Sequence, residues 1–517
     1  MKITATGTIF CALALLSASH LTGTRLLGAD RAVIAAAAAS ITKEELKTHV
    51  EVLADDTLEG RETGSRGGRA AANYVLKAFE RLGATPAGDG GTYFQSFHAA
   101  SRNVIGRIEG SDPRLKDQAI VIGAHYDHVG YGTARNSYGP LGYIHNGADD
   151  NASGVAGLLE VLDAVHQLPS PPRRTIVFAC WDAEEGGLFG SRHWVSKPTI
   201  PLSQVVIDIN IDMIGRMKNG QLEVLGSRTA PGLRRLVSEA NGEGPTTVLF
   251  DWKLKPDSDH WPFYERRIPY LMLHTGLHAD YHRPSDDAHL VNHAGLAEAT
   301  RIVFNLAMEL ADAEHVPPFR EASRSESAVT SQSLEQAGAQ QPPRFGLPFR
   351  IEKGEEPKFI VTAPSPGSPA DRAGFKPGDR LLEFNGQRIE EEARLRLQLL
   401  AARGDTTFLV QRPGNGTPLL LTVKPAGEPI RVGITWRLDD GEPGTAIVNQ
   451  VIYGSAAHVA GLKIGDRVYS VGRRNFQLQD EFVALLTNAQ SPLEMVIERD
   501  GRLHTAVLKL LEEAAAE

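Results

Sequence analysis

Cysteine is scarce in this chain: its 517 residues include two, Cys11 and Cys180. Cys11 falls in a segment that reads as a leader. The rest of the chain then has one thiol and no internal disulfide, so its stability must come from core packing and bound metal. Basic clustering is missing as well. Lys and Arg number 54 against 63 Asp and Glu, giving a net charge of -9 and a pI of about 6.0. The cations are scattered, which argues against nucleic acid as a partner. The apolar run near the start, Ile9 to Leu16, is too short for a membrane span. With Lys2 before it and small residues at Ser17 to Ser19 after it, the run has the layout of a secretory signal, with an uncleaved anchor as the alternative. The expectation is an exported protein, periplasmic or extracellular, with a leader over residues 1–29 and an Ala-rich spacer over 30–42. No stable membrane span is expected once the leader is removed.

The length suggests roughly three domains. Residues 42–57 and 65–82 have helical spacing, and Gly83 stops the second helix. Apolar strands then alternate with helices. Strands are expected at 103–108, 119–124, 175–181, 205–213, 221–225 and 270–274, and helices near 152–168, 187–196, 231–241, 259–266 and 293–312. Continuous apolar strands in that alternation imply an α/β fold, a mostly parallel mixed sheet with helices on both faces. This first domain covers 43–312. Residues 313–342 are rich in Ser, Gln and Pro and read as a linker. Beyond it the sequence repeats without a gap. Arg344, Gly346, Ser368, Gly374, Gly378 and Asp379 return 87 residues later as Arg431, Gly433, Ser455, Gly461, Gly465 and Asp466. Two small domains, 343–426 and 427–513, are the simplest account.

Chemistry is concentrated where strands end. The strand at 119–124 runs into His125, Asp127 and His128, and a Gly- and Asn-rich loop then leads to Asp149 and Asp150. These two acids precede a helix, with Asn151 and Ser153 as possible caps. The strand at 175–181 leads to Asp182, Glu184 and Glu185, and the next leads to Asp212. The strand ending at His274 leads to His278, Asp280, His282, Asp286 and Asp287. In open α/β sheets ligands sit outside the carboxyl ends of strands, so four strand ends converge on one rim. Imidazoles with several carboxylates and no thiolate suit zinc or a similar divalent ion, and an acidic bridge suits a pair of ions. Without metal, these carboxylates would repel one another.

Spacing alone leaves choices open. Asp149 or Asp150 can bridge, His278 competes with His282, and Glu184 with Glu185 also fits a charged helix start. His128, His145, His193 and His274 read as pocket-wall or hydrogen-bonding residues. Ser258, Asp259 and His260 precede Trp261, Phe263 and Tyr264, which suit a pocket lining or a core equally. Cys180 reads as strand packing.

As a set, HYD at 125–127, GADDNASG at 147–154, AEEGGLFGS at 183–191, IDM at 211–213 and YHRPSDD at 281–287 resemble a known family. It is that of the zinc aminopeptidases built on the bacterial leucyl aminopeptidase plan, which also takes in glutamate carboxypeptidases and glutaminyl cyclases. The resemblance covers roughly residues 43–312. It implies a zinc exopeptidase fold and two Zn(2+) ions per chain. It makes His125 a ligand of one zinc and Asp150 the bridge, joins Glu185 to that first metal, and completes the set with Asp212 and His282. It also makes Glu184 the general base and Asp127 the residue that orients His125. These roles are physically consistent. A water shared by two cations becomes a nucleophile near neutral pH. A carboxylate beside a ligand, but not itself ligated, can take that water's proton. Asp127, two residues along a strand from His125, projects to the same side. The implied activity is that of an exported aminopeptidase. A carboxypeptidase of the same fold, a glutaminyl cyclase-like enzyme and a PDZ-based scaffold with an inactive peptidase domain are the alternatives.

The repeated tail, GFKPGDRLLEFNGQRI at 374–389 and GLKIGDRVYSVGRRNF at 461–476, resembles PDZ domains of the bacterial protease-associated kind. Such β-rich domains bind peptide C-termini by strand addition and backbone capture of the carboxylate. In the second copy, Gly472-Arg473-Arg474 departs from the Asn385-Gly386 turn of the first. The expected partners are a peptide or protein substrate and peptide C-termini at these domains. A purely structural adaptor role is the alternative.

Overall fold

The computed structural model describes residues 28–98 and 100–511. The leader expected over 1–29, Cys11 included, lies almost wholly outside the described residues. Nine strands build the first sheet: β1 (Thr85–Pro86), β2 (Phe94–Phe97), β3 (Ser101–Ile108), β4 (Ala119–His125), β5 (Thr175–Trp181), β6 (Val205–Ile211), β7 (Gln221–Leu225), β8 (Thr247–Asp251) and β9 (Tyr270–His274). Their spatial order is β1-β3-β5-β4-β6-β9-β7-β8, with β2 alongside β3. The centre, β5-β4-β6-β9, is parallel, whereas β3 and β7 join antiparallel.

Alternation along the central strands decides which face each side chain serves. Ile120, Ile122, Ile176 and Phe178 pack with Leu158, Leu162, Val303 and Leu306 of the helices Gly154–His166 and His293–Asp312. On the other face Val121, Val177 and Trp181 meet Trp194 and Phe263. With both faces covered, β4 and β5 are buried along their whole length. Each large apolar side chain so buried contributes ~1.5–3 kcal/mol.

Three stretches differ from the sequence expectation. The short β1 and β2 and the edge strand β8 are additional. The Ala-rich stretch is not a loose spacer: Gly28–Ser40 is helical, with Ala37 and Ala38 buried in the main core. Alanine has the highest helix propensity, and this helix has a surface to pack on. Residues 313–342 include a 3-10 turn at Glu321–Arg324 and a helix at Ala328–Glu335, tied down by ion pairs to Arg228 and Arg467.

Two further sheets follow. The first holds Phe349–Glu352, Lys358–Val361, Arg380–Phe384, Gln387–Arg388, Thr406–Gln411 and Leu419–Val423. The second holds Ile434–Arg437, Ala446–Val451, Arg467–Val471, Leu493–Arg499 and Arg502–Leu508. Each has its own apolar core. The second is joined to the first domain through the turn between its last two strands. There Val248 N donates to Asp500 O at 2.9 Å, and Leu503 N to Gly242 O at 2.9 Å. Arg234 grips Glu498 with two bonds of 3.0 and 3.1 Å, and Arg467 bonds Glu442 at 2.8 Å. Arg228 holds Glu326 by two bonds of 2.7 Å and Asp439 at 2.7 Å. Among the described residues no helix is long and apolar enough to cross a membrane.

Candidate metal centre

At the carboxyl end of β4 the chain leaves the sheet at His125, and Arg61 organises the loops beyond it. This arginine is 1% exposed. It donates from Nε to Tyr126 O at 2.9 Å, and from Nη1 and Nη2 to Asn146 O at 2.5 Å and Gly147 O at 2.9 Å. One guanidinium therefore ties the loop after β4 to the loop that delivers Asp150. Burial brings its pKa down to about 10, against the pull of Asp150 and Asp127. From the other side, Asp286 Oδ2 accepts the backbone N–H groups of Asp149 (2.9 Å) and Asp150 (3.1 Å).

Asp150 is thus held between two groups of side chains. Its Oδ1 lies 3.3 Å from His125 Nε2, which is 3.4 Å from Asp212 Oδ1. Its Oδ2 lies 3.1 Å from His282 Nε2, which is 3.1 Å from Glu185 Oε2. His125, Asp150 and Asp212 form one set able to hold a metal ion, and His128, Asp150, Glu185 and His282 form another. Asp150 belongs to both. Burial alone would raise its pKa, but the surrounding imidazoles of His128, His125 and His282 hold it well below the usual carboxylate range. Burial depresses His282, yet Asp150 and Glu185 outweigh it and bring the imidazole to about 11.

The grouping corrects one expectation: Glu185 stands with His282 and not with His125, because the turn after β5 carries it to the far side of Asp150. A second correction concerns Asp127. His125 Nδ1 is 3.2 Å from the Asp127 carbonyl oxygen and 3.8 Å from its carboxylate. The carboxylate instead accepts Glu184 N–H at 3.1 Å, so Asp127 positions the Glu184 backbone. Desolvation first, then the neighbouring carboxylates, pushes Glu184 well above its ordinary pKa, while His125 draws it down.

The remaining candidates separate clearly. Asp149 faces away, accepting from Ser153 and Gly215 and pairing with His278 at 3.2 Å. His145 bonds Ser137, and His193 stacks on Phe97. His274 Nδ1 accepts Gly276 N–H. Phe263 is core, while Ser258 donates to Asp212 Oδ2 at 2.7 Å and so orients it. Cys180 is buried, and burial alone raises its thiol pKa. Sequence reasoning passes over Arg61, and it reads His128 as a pocket-wall or hydrogen-bonding residue: the imidazole does bond Glu185 at 2.7 Å, but it also stands in one of the two ligand groups. The adjacency of His128 to the HYD run is the available signal; nothing local marks Arg61.

The donor set fits a metal. It is nitrogen and carboxylate oxygen, as zinc prefers, and within the ligand sets the buried Asp212 Oδ1 has no hydrogen-bond partner. Native proteins rarely leave such atoms unsatisfied unless a ligand completes them.

Comparison with known proteins places parts of the chain in families. Residues 103–307 match Peptidase family M28, and residues 360–412 and 420–498 each match a PDZ domain. Leupeptin-inactivating enzyme 1 of Streptomyces exfoliatus is 29% identical over 232 residues, covering 44% of this chain and 47% of that protein. Aminopeptidase YwaD of Bacillus subtilis is 28% identical over 231 residues, covering 42% and 46%. A glutamate carboxypeptidase 2 homolog of Caenorhabditis elegans is 37% identical over 193 residues, covering 31% and 22%. The chain thus spans less than half the length of these relatives. Among solved structures, the LapA aminopeptidase of Legionella pneumophila superposes with a TM-score of 0.47 at 23% identity, covering 55% of this chain and 76% of that one. With its paired ligand groups at the strand ends and its two repeated sheets behind them, the chain carries a domain that matches peptidase family M28 over residues 103–307, followed by two C-terminal PDZ domains.

Proposed function

We propose that this is an exported dinuclear zinc aminopeptidase that releases N-terminal residues from peptides. The carrying observation is Asp150, whose two oxygens face different ligand groups. His125, Asp150 and Asp212 would hold one zinc, and Asp150, Glu185 and His282 the other. When bound, the pair supplies Lewis acidity that polarises the scissile carbonyl and makes water nucleophilic near neutral pH. Glu184 takes the proton of the attacking water and passes it to the leaving amine. Asp127 holds Glu184 in place through its backbone N–H. Arg61, Asp286 and Ser258 fix the ligand-bearing segments, so little reorganisation is needed when substrate arrives. Export is supported by the apolar run after Lys2 and by the single remaining thiol.

The test joins metal analysis to a paired digest. The purified protein is assayed for zinc and given a peptide with a free amino terminus beside its N-acetylated twin. The expected result is two zinc ions per chain and stepwise shortening of the free peptide only. Shortening of the acetylated peptide from its carboxyl end would make the enzyme a carboxypeptidase. No cleavage of either with zinc bound would end the peptidase reading.

A further inference from the structure

One buried side chain at the strand ends, His128, has no part in the proposed reaction. Its Nδ1 lies 2.7 Å from Glu185 Oε1 and 3.8 Å from Asp150 Oδ2. Donor atoms that share one tetrahedral zinc, each ~2.0 Å from it, stand roughly 3.3 Å apart. The separations within the two groups fit that figure. His125 Nε2 is 3.3 Å from Asp150 Oδ1 and 3.4 Å from Asp212 Oδ1, and His282 Nε2 is 3.1 Å from both Asp150 Oδ2 and Glu185 Oε2. Those of His128 fall on either side of it. The shorter is a hydrogen bond, and the longer exceeds what a shared tetrahedral ion gives.

The two oxygens of Glu185 are therefore divided. Oε2 stands with His282 and Asp150, while Oε1 accepts from His128 Nδ1–H, since a nitrogen facing a carboxylate must carry the proton. Asp212 in the other group is divided in the same way. Its Oδ1 is 3.4 Å from His125 Nε2, and its Oδ2 accepts from Ser258 at 2.7 Å. Packing fixes the His128 ring for this task. A Cβ on Gly147, in the loop that delivers Asp150, would come within 2.5 Å of His128 Cδ2. The backbone N–H of His128 donates to Arg61 O at 3.3 Å, and the ring meets that of His282 edge-on, with 5.5 Å between centroids. Its Nε2 is buried with no hydrogen-bond partner, so Glu185 is the polar anchor of the imidazole.

We propose that His128 is a positioning residue, which aims Glu185 at the second zinc by holding the carboxylate oxygen that does not bind the ion. The imidazole is then a donor to a ligand and not itself a ligand. This inference rests on the dinuclear reading above. A group that orients a metal ligand sets the affinity of the ion which that ligand binds, so the effect of His128 falls on one ion of the two.

The test is a zinc titration of the full chain, stripped of metal and reloaded in competition with a chromogenic chelator, on the wild type and three variants. His128→Asn keeps an N–H at the position of Nδ1, His128→Gln moves it to the position of Nε2, and His128→Phe removes it while keeping a ring. The wild type should bind two zincs. His128→Phe and His128→Gln should each hold one of them ~10–100-fold more weakly with the other unchanged, and His128→Asn should stay within about threefold of wild type at both. The contrast between Asn and Gln decides the matter even if the Phe variant does not fold. Equal affinities in all the proteins, or equal weakening at both ions, would overturn the proposal. So would an Asn variant as weak as the Gln variant, which would make the imidazole a ligand. A wild type that holds fewer than two zincs would sink the dinuclear reading, and this inference with it, before any variant is compared.

Discussion

Two buried clusters of charge lie within this chain, and they are built on opposite plans. At the joint between the peptidase domain and the second PDZ copy, cation and anion are matched. Arg234 takes both oxygens of Glu498, Arg467 bonds Glu442, and Arg228 bonds Glu326 and Asp439. At the strand ends of the first sheet, imidazoles and carboxylates crowd together with several oxygens and nitrogens unpartnered. A buried charge that already has its partner holds structure together, whereas a buried group without one is poised for something the chain does not itself supply. The two clusters differ in charge matching, with arginines paired to carboxylates at the joint and several carboxylates sharing a few imidazoles at the strand ends.

Removing the shared ligand should break the second cluster most completely. Asp150→Ala takes a donor from both groups at once, so zinc content should fall and hydrolysis drop to background. The rise in melting temperature that zinc gives the metal-stripped wild type should vanish as well. Metal analysis and a melt with and without zinc check this, and an undiminished zinc count would mean that Asp150 is no bridge. Glu184→Gln is the sharper counterpart. It should leave zinc bound while kcat falls by ~10²–10⁴, the range for a lost general base. Unchanged turnover would remove Glu184 from the mechanism.

At the joint, the expected loss is of stability alone. Glu498→Ala leaves Arg234 and Arg467 buried beside an empty space and frees the Gly501 N–H that Glu498 accepts at 2.7 Å. Breaking one partner of such a buried set costs ~3–5 kcal/mol. Urea unfolding should show that loss, with kcat of the folded fraction intact. A loss below ~1 kcal/mol would mean that the joint is solvated and the two domains are only loosely apposed.

The site is far more legible in the sequence than the joint. His125, Asp150, Glu185, Asp212 and His282 each follow a strand or begin a helix, so local periodicity places them at one edge of the sheet, and motif spacing does the rest. Their division into two groups is not legible, since it depends on how the turn after β5 swings Glu185 across Asp150. The joint leaves no local trace. Arg234 lies on a helix whose polar positions read as a solvated face, and Glu498 is 264 residues away. Arg61 is hidden for the same reason, because its partners are carbonyl oxygens, which no side-chain pattern records. The segment 313–342 has the composition of a linker, yet Glu326 within it is caught between two arginines.

That glutamate offers the finest test of the comparison, because it titrates apart from the metal ligands. Burial pushes its carboxyl upward, but Arg228 and Arg320 outweigh burial and bring it to about 2 from an ordinary 4.5. A carboxylate depressed on folding stabilises the protein above its unfolded pKa, and this contribution is lost as pH falls through the folded one. The gap in unfolding free energy between wild type and Glu326→Gln should therefore be full above pH 4.5, about 2 kcal/mol once solvent screening is allowed for. It should narrow steadily as the pH falls toward 2. Denaturation of both proteins at a series of pH values measures it directly. A gap that stays constant through this window would mean that Glu326 binds its arginines no better folded than unfolded, and the matched plan of the joint would then rest on Glu498, Glu442 and Asp439.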